Sequence, residues 1–185
     1  RIYKYPRTST ARILGLKDGG SGVLCSFIKD YPKEMAQFSG PGLAQPVLVI
    51  YDNDEEGRKI RNVIRNVSKV NPTDAEPFVH VYRNLYAVST PLQDGVTKSK
   101  IEDSFDLRIK KTVIEGKTFN DGNNFDPEKH YGKVVFAHKV IRPNADKVDF
   151  TGFRPLLQNI VHAIEAHRKS LLTSALGPSC SPKTG

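Results

Sequence analysis

Two aspartates, Asp52 and Asp54, stand one residue apart where an apolar stretch gives way to polar chain: Pro46-Val-Leu-Val-Ile-Tyr-Asp-Asn-Asp-Glu-Glu-Gly-Arg58. Carboxylates at i and i+2 on a loop leaving a strand can reach one hard cation. Mg²⁺ commonly takes only one or two carboxylates and completes its shell with water and substrate oxygens. That chemistry suits phosphoryl transfer or hydrolysis, where a metal generates hydroxide and stabilises the attacking and leaving oxygens. A plainer role is also open for the same residues. Asp54 can cap a following helix, with Glu55 and Glu56 favourable in its first turn. Capping leaves Asp52 unaccounted for, at the end of a run that otherwise excludes charge, and the two roles are compatible.

The elements needed to position these acids are legible on either side. Val47 to Tyr51 is an unbroken, largely β-branched apolar run, which predicts a strand covered on both faces. Ile60, Val63, Ile64 and Val67 recur at helical spacing, which predicts a helix from about Glu55 to Val67. Functional crevices of open α/β sheets lie beyond the carboxyl ends of strands, where Asp52 and Asp54 fall.

Elsewhere, Ala11 to Leu16 predicts a short strand, followed by a glycine-rich turn, Lys17 to Gly22, and an amphipathic helix that Pro32 should end. The turn lacks the lysine of a P-loop and the spacing of a dinucleotide loop, so a tight connection requiring positive φ is the simpler reading. Ser39 to Gly42 is a loop. Phe78–Tyr82 and Leu85–Val88 are strands, joined at Arg83-Asn84 by a hairpin or a bend. Ile101, Phe105 and Ile109 predict a helix over 98–109, Lys117 to Pro127 a loop, Tyr131 to Ile141 a helix, and Phe153 to His167 another, with a mobile tail from Ser170. The expected fold is α/β: a mostly parallel, Rossmann-like sheet flanked by helices, with a helical C-terminal extension. Residues 1–95 would form the core, 96–169 the extension and 170–185 the tail.

The chain has 185 residues, a net charge of +8 and a pI near 9.5. A basic surface favours a polyanionic partner, and acids clustered within it suggest a metal held against a phosphate backbone. Cys25 and Cys180 belong to no metal-binding spacing and read as free thiols of a reducing compartment. No apolar run approaches the roughly 18 residues of a membrane span, and no signal-peptide pattern is present. His80, His130, His138, His162 and His167 form no ligand cluster.

The pattern Asp52-x-Asp54-x-x-Gly57-x-x-Ile60 behind an apolar strand resembles the second acidic motif of the toprim domain, shared by primases, topoisomerases and overcoming-lysogenization-defect nucleases. Further stretches resemble the toprim region fused behind retron reverse transcriptases: Ile13 to Gly22, Asn84-Leu-Tyr-Ala-Val-Ser-Thr-Pro, Ile101-Glu-Asp-Ser-Phe, Gly116-Lys-Thr-Phe, Tyr131-Gly-Lys-Val-Val-Phe-Ala and Val148-Asp-Phe-Thr-Gly-Phe, spanning about residues 9 to 160. The resemblance implies a nuclease that holds Mg²⁺ or Mn²⁺ on Asp52 and Asp54. Glu56 and Glu102 are candidates for a second ion, and Lys133 for neutralising transition-state charge. Arg58, Lys59 and Arg61, beside the acids, suit phosphate contacts, although each of these charged residues also fits a solvated surface.

The implied partners are a reverse transcriptase domain of the same polypeptide and its RNA-linked DNA, in a bacterial cytoplasm, in antiphage defence, with self-association among the expectations. Toprim domains carry a further glutamate in a Glu-Gly setting on the first strand. None precedes residue 9, and Glu115-Gly116 comes after the Asp pair, in the wrong order. With Arg1 rather than Met at its start, the chain is expected to be part of a longer polypeptide that supplies this glutamate upstream. Two other readings remain: a toprim unit that binds nucleic acid or self-associates without cutting, and a phosphohydrolase with Asp52 as nucleophile.

Overall fold

A computed structural model describes residues 20–37, 43–122 and 124–176. The expected strand at Ala11–Leu16, the start of the glycine-rich turn and the loop at Ser39–Gly42 lie outside them. The protein is a mixed α/β structure whose described residues fall into two compact units, one running up to Lys100 and resuming at Pro155, the other comprising Ile101–Arg154.

Among the described residues, the first unit is built on a three-stranded sheet. Strand β1 (Val47–Tyr51) and strand β2 (Val79–Tyr82) flank a central strand β3 (Leu85–Ser89), giving the order β1-β3-β2. β1 runs parallel to β3 in the register Val47↔Leu85 to Tyr51↔Ser89, whereas β2 is antiparallel to β3. The sheet is therefore mixed, with one parallel and one antiparallel pair among the described residues. β3 is buried on both faces from Leu85 to Val88, as a middle strand between helical layers must be. One face packs Val49, Tyr51, Val79, Val81, Leu85 and Ala87 against Ile28 and Tyr31 of helix α1 (Ser21–Ala36) and Ile60 and Ile64 of helix α2 (Glu55–Ser68). The other packs Tyr86 and Val88 against Leu156 and Ala163 of the last helix.

Arg83-Asn84 closes the β2–β3 hairpin. Arg83 adopts φ +48°, and the cost of that left-handed backbone is offset by the buried Asn84. Its amide donates to the Gln45 carbonyl (2.8 Å) and accepts from the Tyr31 hydroxyl (2.9 Å), while its own carbonyl accepts from Val47 N–H (2.7 Å). Helix α2 ends at Lys69, whose φ of +63° and N–H bond to the Arg65 carbonyl terminate it without glycine.

Three expectations are corrected here. Pro32 does not end helix α1, which continues to Ala36. The proline forfeits one backbone bond, but burial of Ile28 and Tyr31 against the sheet holds the helix across it. The helix expected over 98–109 is broken, because Ser99 is committed to an extended bridge with Asn53 and Asp106 caps a new turn by accepting from Arg108 N–H (2.7 Å). What forms instead is a 3₁₀ turn at Ile101–Ser104 and helix α3 (Leu107–Lys110). The tail expected from Ser170 is helical at least to Leu176, since the last helix spans Arg154–Leu176, and residues 177–185 lie outside the described residues. Ser170 itself bonds back to the His167 carbonyl (2.7 Å).

The second unit has no long helix. Strands β4 (Thr118–Phe119) and β5 (His130–Tyr131) form a short parallel ladder, so the expected loop over 117–127 contributes a strand. Helix α4 (Lys133–Val135) opens into a π-helical turn at Phe136–Ile141. Its core is aromatic: Phe136 stacks on Phe119 at 4.3 Å and meets the edge of Phe105 at 5.5 Å, and Phe105 in turn meets Phe153 at 4.8 Å. The helix α5 (Arg154–Leu176) then returns the chain to the first unit.

Because Leu85 is fully buried in the strand common to both sheet pairings, Leu85→Ala is expected to lower unfolding stability by about 2–5 kcal/mol. Urea denaturation followed by circular dichroism measures it.

Candidate functional site

Beyond the end of β1, the backbone is again extended at Asn53 and Asp54. Asn53 and Ser99 form an antiparallel bridge, Asn53 N–H donating to the Ser99 carbonyl (2.8 Å) and Ser99 N–H to the Asn53 carbonyl (2.9 Å). Asp54 is also extended, with φ −135° and ψ −163°. Alternation along an extended chain puts Asp52 and Asp54 on one side and Asn53 on the other. Burial agrees: Asn53 is 7% exposed, whereas both aspartates are only partly buried.

Two buried hydroxyls hold this turn-out. Asn53 N–H also reaches Thr90 Oγ1 (2.9 Å), Thr90 Oγ1 donates to the Ser99 carbonyl (2.9 Å), and Ser99 Oγ donates to the Thr90 carbonyl (2.9 Å). Thr90 N–H donates to the Tyr51 carbonyl at 2.9 Å, tying the same point to the end of β1. The other side of Asn53 is gripped by side chains. Arg61 donates to Asn53 Oδ1 and to Asp74, and Asn53 Nδ2 donates to Asp74 Oδ1 at 2.8 Å.

Helix α2 starts against this strand end. Asp54 Oδ1 accepts from Gly57 N–H (2.9 Å), so the capping role is observed. A carboxylate has about four acceptor positions, and capping uses one of them. Gly57 is required here for contact rather than for conformation. A Cβ built on it would lie 1.9 Å from the Asp52 carbonyl oxygen, so only glycine lets the first turn of α2 sit on the strand exit.

The remaining expected site residues separate. Glu56 is exposed and accepts from Lys59 Nζ and Ser21 Oγ, both at 2.6 Å; these bonds, with the Lys59 hydrogen bond foremost, lower its carboxyl pKa. Glu55 pairs with Lys98, and that hydrogen bond is the first cause of its own lowered pKa. Arg58 is exposed on α2. Arg61 faces inward onto Asn53 and Asp74. Glu102 and Lys133 are brought together, Lys133 Nζ donating to Glu102 Oε2 at 2.8 Å with Glu102 8% exposed. That pair belongs to the unit of residues 101–154, whereas the aspartates belong to the first unit. No helix among the described residues is long and apolar enough to cross a membrane.

Among the described residues no group of three or more His, Cys, Asp or Glu side chains is placed to hold a metal ion. The donors that the β1 exit itself carries are the carboxylates of Asp52 and Asp54, and this is the set to weigh. It fits Mg²⁺ or Mn²⁺ that keeps most of its shell as water and substrate oxygen, and it does not fit a cage made by protein alone. Sequence reasoning missed Asp74, Thr90 and Ser99. Each is an ordinary polar residue in a loop or at a strand end, and its partners lie 9 to 46 residues away. No family profile matches the chain, and no solved structure matches it.

Two outcomes are expected from this geometry. Gly57→Ala should destabilise by about 1–3 kcal/mol through overpacking against the Asp52 carbonyl, measured by urea denaturation. Asp74 carries a pH dependence. Burial pushes its carboxyl up, but the Arg61 and Asn53 hydrogen bonds and the Arg61 charge outweigh this and leave it below its ordinary value of 3.8. A lowered folded value contributes stability that is present above 3.8 and lost as pH falls through the folded value. Thermal melts below about pH 4 should therefore show a shallower acid limb for Asp74→Asn than for the unsubstituted protein.

Proposed function

We propose that this chain is the nuclease region of a toprim-type protein, hydrolysing phosphodiesters with Mg²⁺ or Mn²⁺ on Asp52 and Asp54. The observation that carries the reading is the extended β1 exit, which sets two partly buried carboxylates on one side of the backbone while burying the residue between them. In this reading the sheet is the part of a Rossmann-like toprim core that these residues supply, with β1 and β3 as its parallel pair. A bound divalent ion supplies a hydroxide near neutral pH and charge stabilisation for the oxygens that enter and leave the phosphorus.

The chain's own residues do the positioning. The Thr90 and Ser99 hydroxyls fix the backbone between the aspartates, and Gly57 lets the positive end of α2 approach the same point, favouring an anion beside it. Arg58 and Lys59, exposed on the first turns of α2, contact phosphates in this reading and set the register of a nucleic acid without reading its bases. Glu102 and Lys133 neutralise each other and act as a structural pair within their unit. The resemblance extends the proposal to the polypeptide: the chain is the effector part of a retron reverse transcriptase in antiphage defence, restrained by the polymerase domain and its RNA-linked DNA.

A second reading, nucleic-acid binding without cleavage, is favoured by one observation. Among the described residues there is no group of three or more His, Cys, Asp or Glu side chains that could hold a metal ion. Both readings are separated by Asp52→Asn and Asp54→Asn. Asparagine caps helices about as well as aspartate, so Asp54→Asn removes the metal-binding charge and keeps the cap.

Electron paramagnetic resonance of free Mn²⁺ should show each substitution weakening binding to this chain by about tenfold or more, with unchanged circular dichroism. In the polypeptide that also carries the polymerase, cleavage of DNA or RNA should be lost. Full Mn²⁺ affinity in the double variant would defeat the assignment; binding without cleavage in the unsubstituted protein would favour the second reading. A phosphoryl group trapped on Asp52 would instead indicate a phosphohydrolase.

A further inference from the structure

Arg61 was expected among the phosphate contacts of α2, but its guanidinium is turned the other way. Its side chain is 20% exposed, and it reaches Asn53 Oδ1 and Asp74 Oδ1 together. Tyr51, only 6% exposed at the end of β1, lies beside them: burial raises the pKa of its hydroxyl, and the nearby Arg61 charge works against that rise. Asn53 completes the circuit by donating to Asp74 at 2.8 Å. A single guanidinium therefore joins the residue between the two aspartates to the loop after α2. A planar, always charged fork is suited to hold two acceptors at fixed angles, and a lysine amine on a flexible stem is not.

The consequence follows from the covalent geometry. Asn53 is the residue whose side chain lies opposite Asp52 and Asp54. Its backbone is fixed by Ser99 and Thr90, and its side chain, which Arg61 and Asp74 hold, adds a second restraint on rotation about the chain axis. Turning Asn53 turns both aspartates with it. We propose that Arg61, braced by Asp74, is a positioning residue for the Asp52–Asp54 pair, acting through Asn53 rather than on phosphate. The proposal rests on the metal reading for what the pair holds, while the clamp itself is a statement about residues 52–54 that does not need a metal to be tested. Outer groups that orient metal ligands typically change affinity by about 10–100-fold when removed.

The test uses this chain with Arg61→Gln, Arg61→Lys and Asp74→Asn, and with Ile64→Ala as a control that loosens the same helix from the sheet without touching the clamp. All are compared at a temperature where each is fully folded. Mn²⁺ affinity, read by paramagnetic resonance, is expected to fall about tenfold in Arg61→Gln, to be restored little by Arg61→Lys, and to be unchanged in Ile64→Ala. Amide hydrogen exchange at Asn53 and Asp54 is expected to accelerate in Arg61→Gln and Asp74→Asn but not in Ile64→Ala. Unchanged exchange at both amides in Arg61→Gln would overturn the inference whatever the metal does. An equal loss of affinity and protection in Ile64→Ala would overturn it too, by reducing Arg61 to general stability. If instead Asp52→Asn binds Mn²⁺ as the unsubstituted chain does, the metal reading fails, and the exchange arm alone decides on the clamp.

Discussion

The backbone N–H of Asn53 is where the first unit is pinned. It points at the Ser99 carbonyl and at Thr90 Oγ1, in a site where Thr90 is 2% and Ser99 5% exposed. A buried amide without partners costs on the order of 1–3 kcal/mol, and two buried hydroxyls without partners cost similarly. The arrangement settles all of them at once. Moving residues 52–54 by one register would leave several of these groups unpaired, so the strand exit has one stable position. The start of α2, the return of the chain at Ser99 and the side on which Asp52 and Asp54 emerge all depend on it.

Packing sets a second limit at the same place. Helix α2 must begin within van der Waals range of the Asp52 carbonyl to bring Ile60 and Ile64 onto the sheet, and a side chain at position 57 would prevent it. The glycine of the Asp-x-Asp-x-x-Gly pattern is therefore explained by contact alone, whatever the aspartates bind. A motif that looks chemical is in part a motif of close approach. That separates the acids, which packing does not require to be acids, from the glycine, which it does require.

Charge in this protein is sorted by burial. Lys59, Lys98 and Arg108 pair with neighbouring carboxylates at exposed positions, where such pairs contribute less than about 1 kcal/mol each. Glu102, Arg61 and Lys110 are drawn further inward than these, and each is met by an opposite charge. Breaking one partner of such a pair costs far more than its formation contributes. Residues that looked equivalent along Arg58-Lys59-Ile60-Arg61 thus have unlike roles, because a helix turns each successive residue by about 100° and only one of the three cations falls toward the strand exit.

Local pattern alone determined the elements nearest the aspartates. The β-branched run from Val47, the helical spacing of Ile60 and Ile64, the cap at Asp54 and the two strands around Arg83-Asn84 follow from short-range sterics and periodicity, and all are found. Local pattern failed where a distant partner overruled it. Pro32 lies inside a helix because the sheet covers Ile28 and Tyr31; residues 98–109 are not one helix because Ser99 is claimed by Asn53, 46 positions earlier. The order β1-β3-β2, with its antiparallel edge, and the turn of Arg61 onto Asn53 and Asp74 were likewise decided only by the tertiary structure. Hydrogen bonds between residues far apart in the chain leave no periodicity to read, and which of several polar residues is buried depends on what the rest of the fold brings against it.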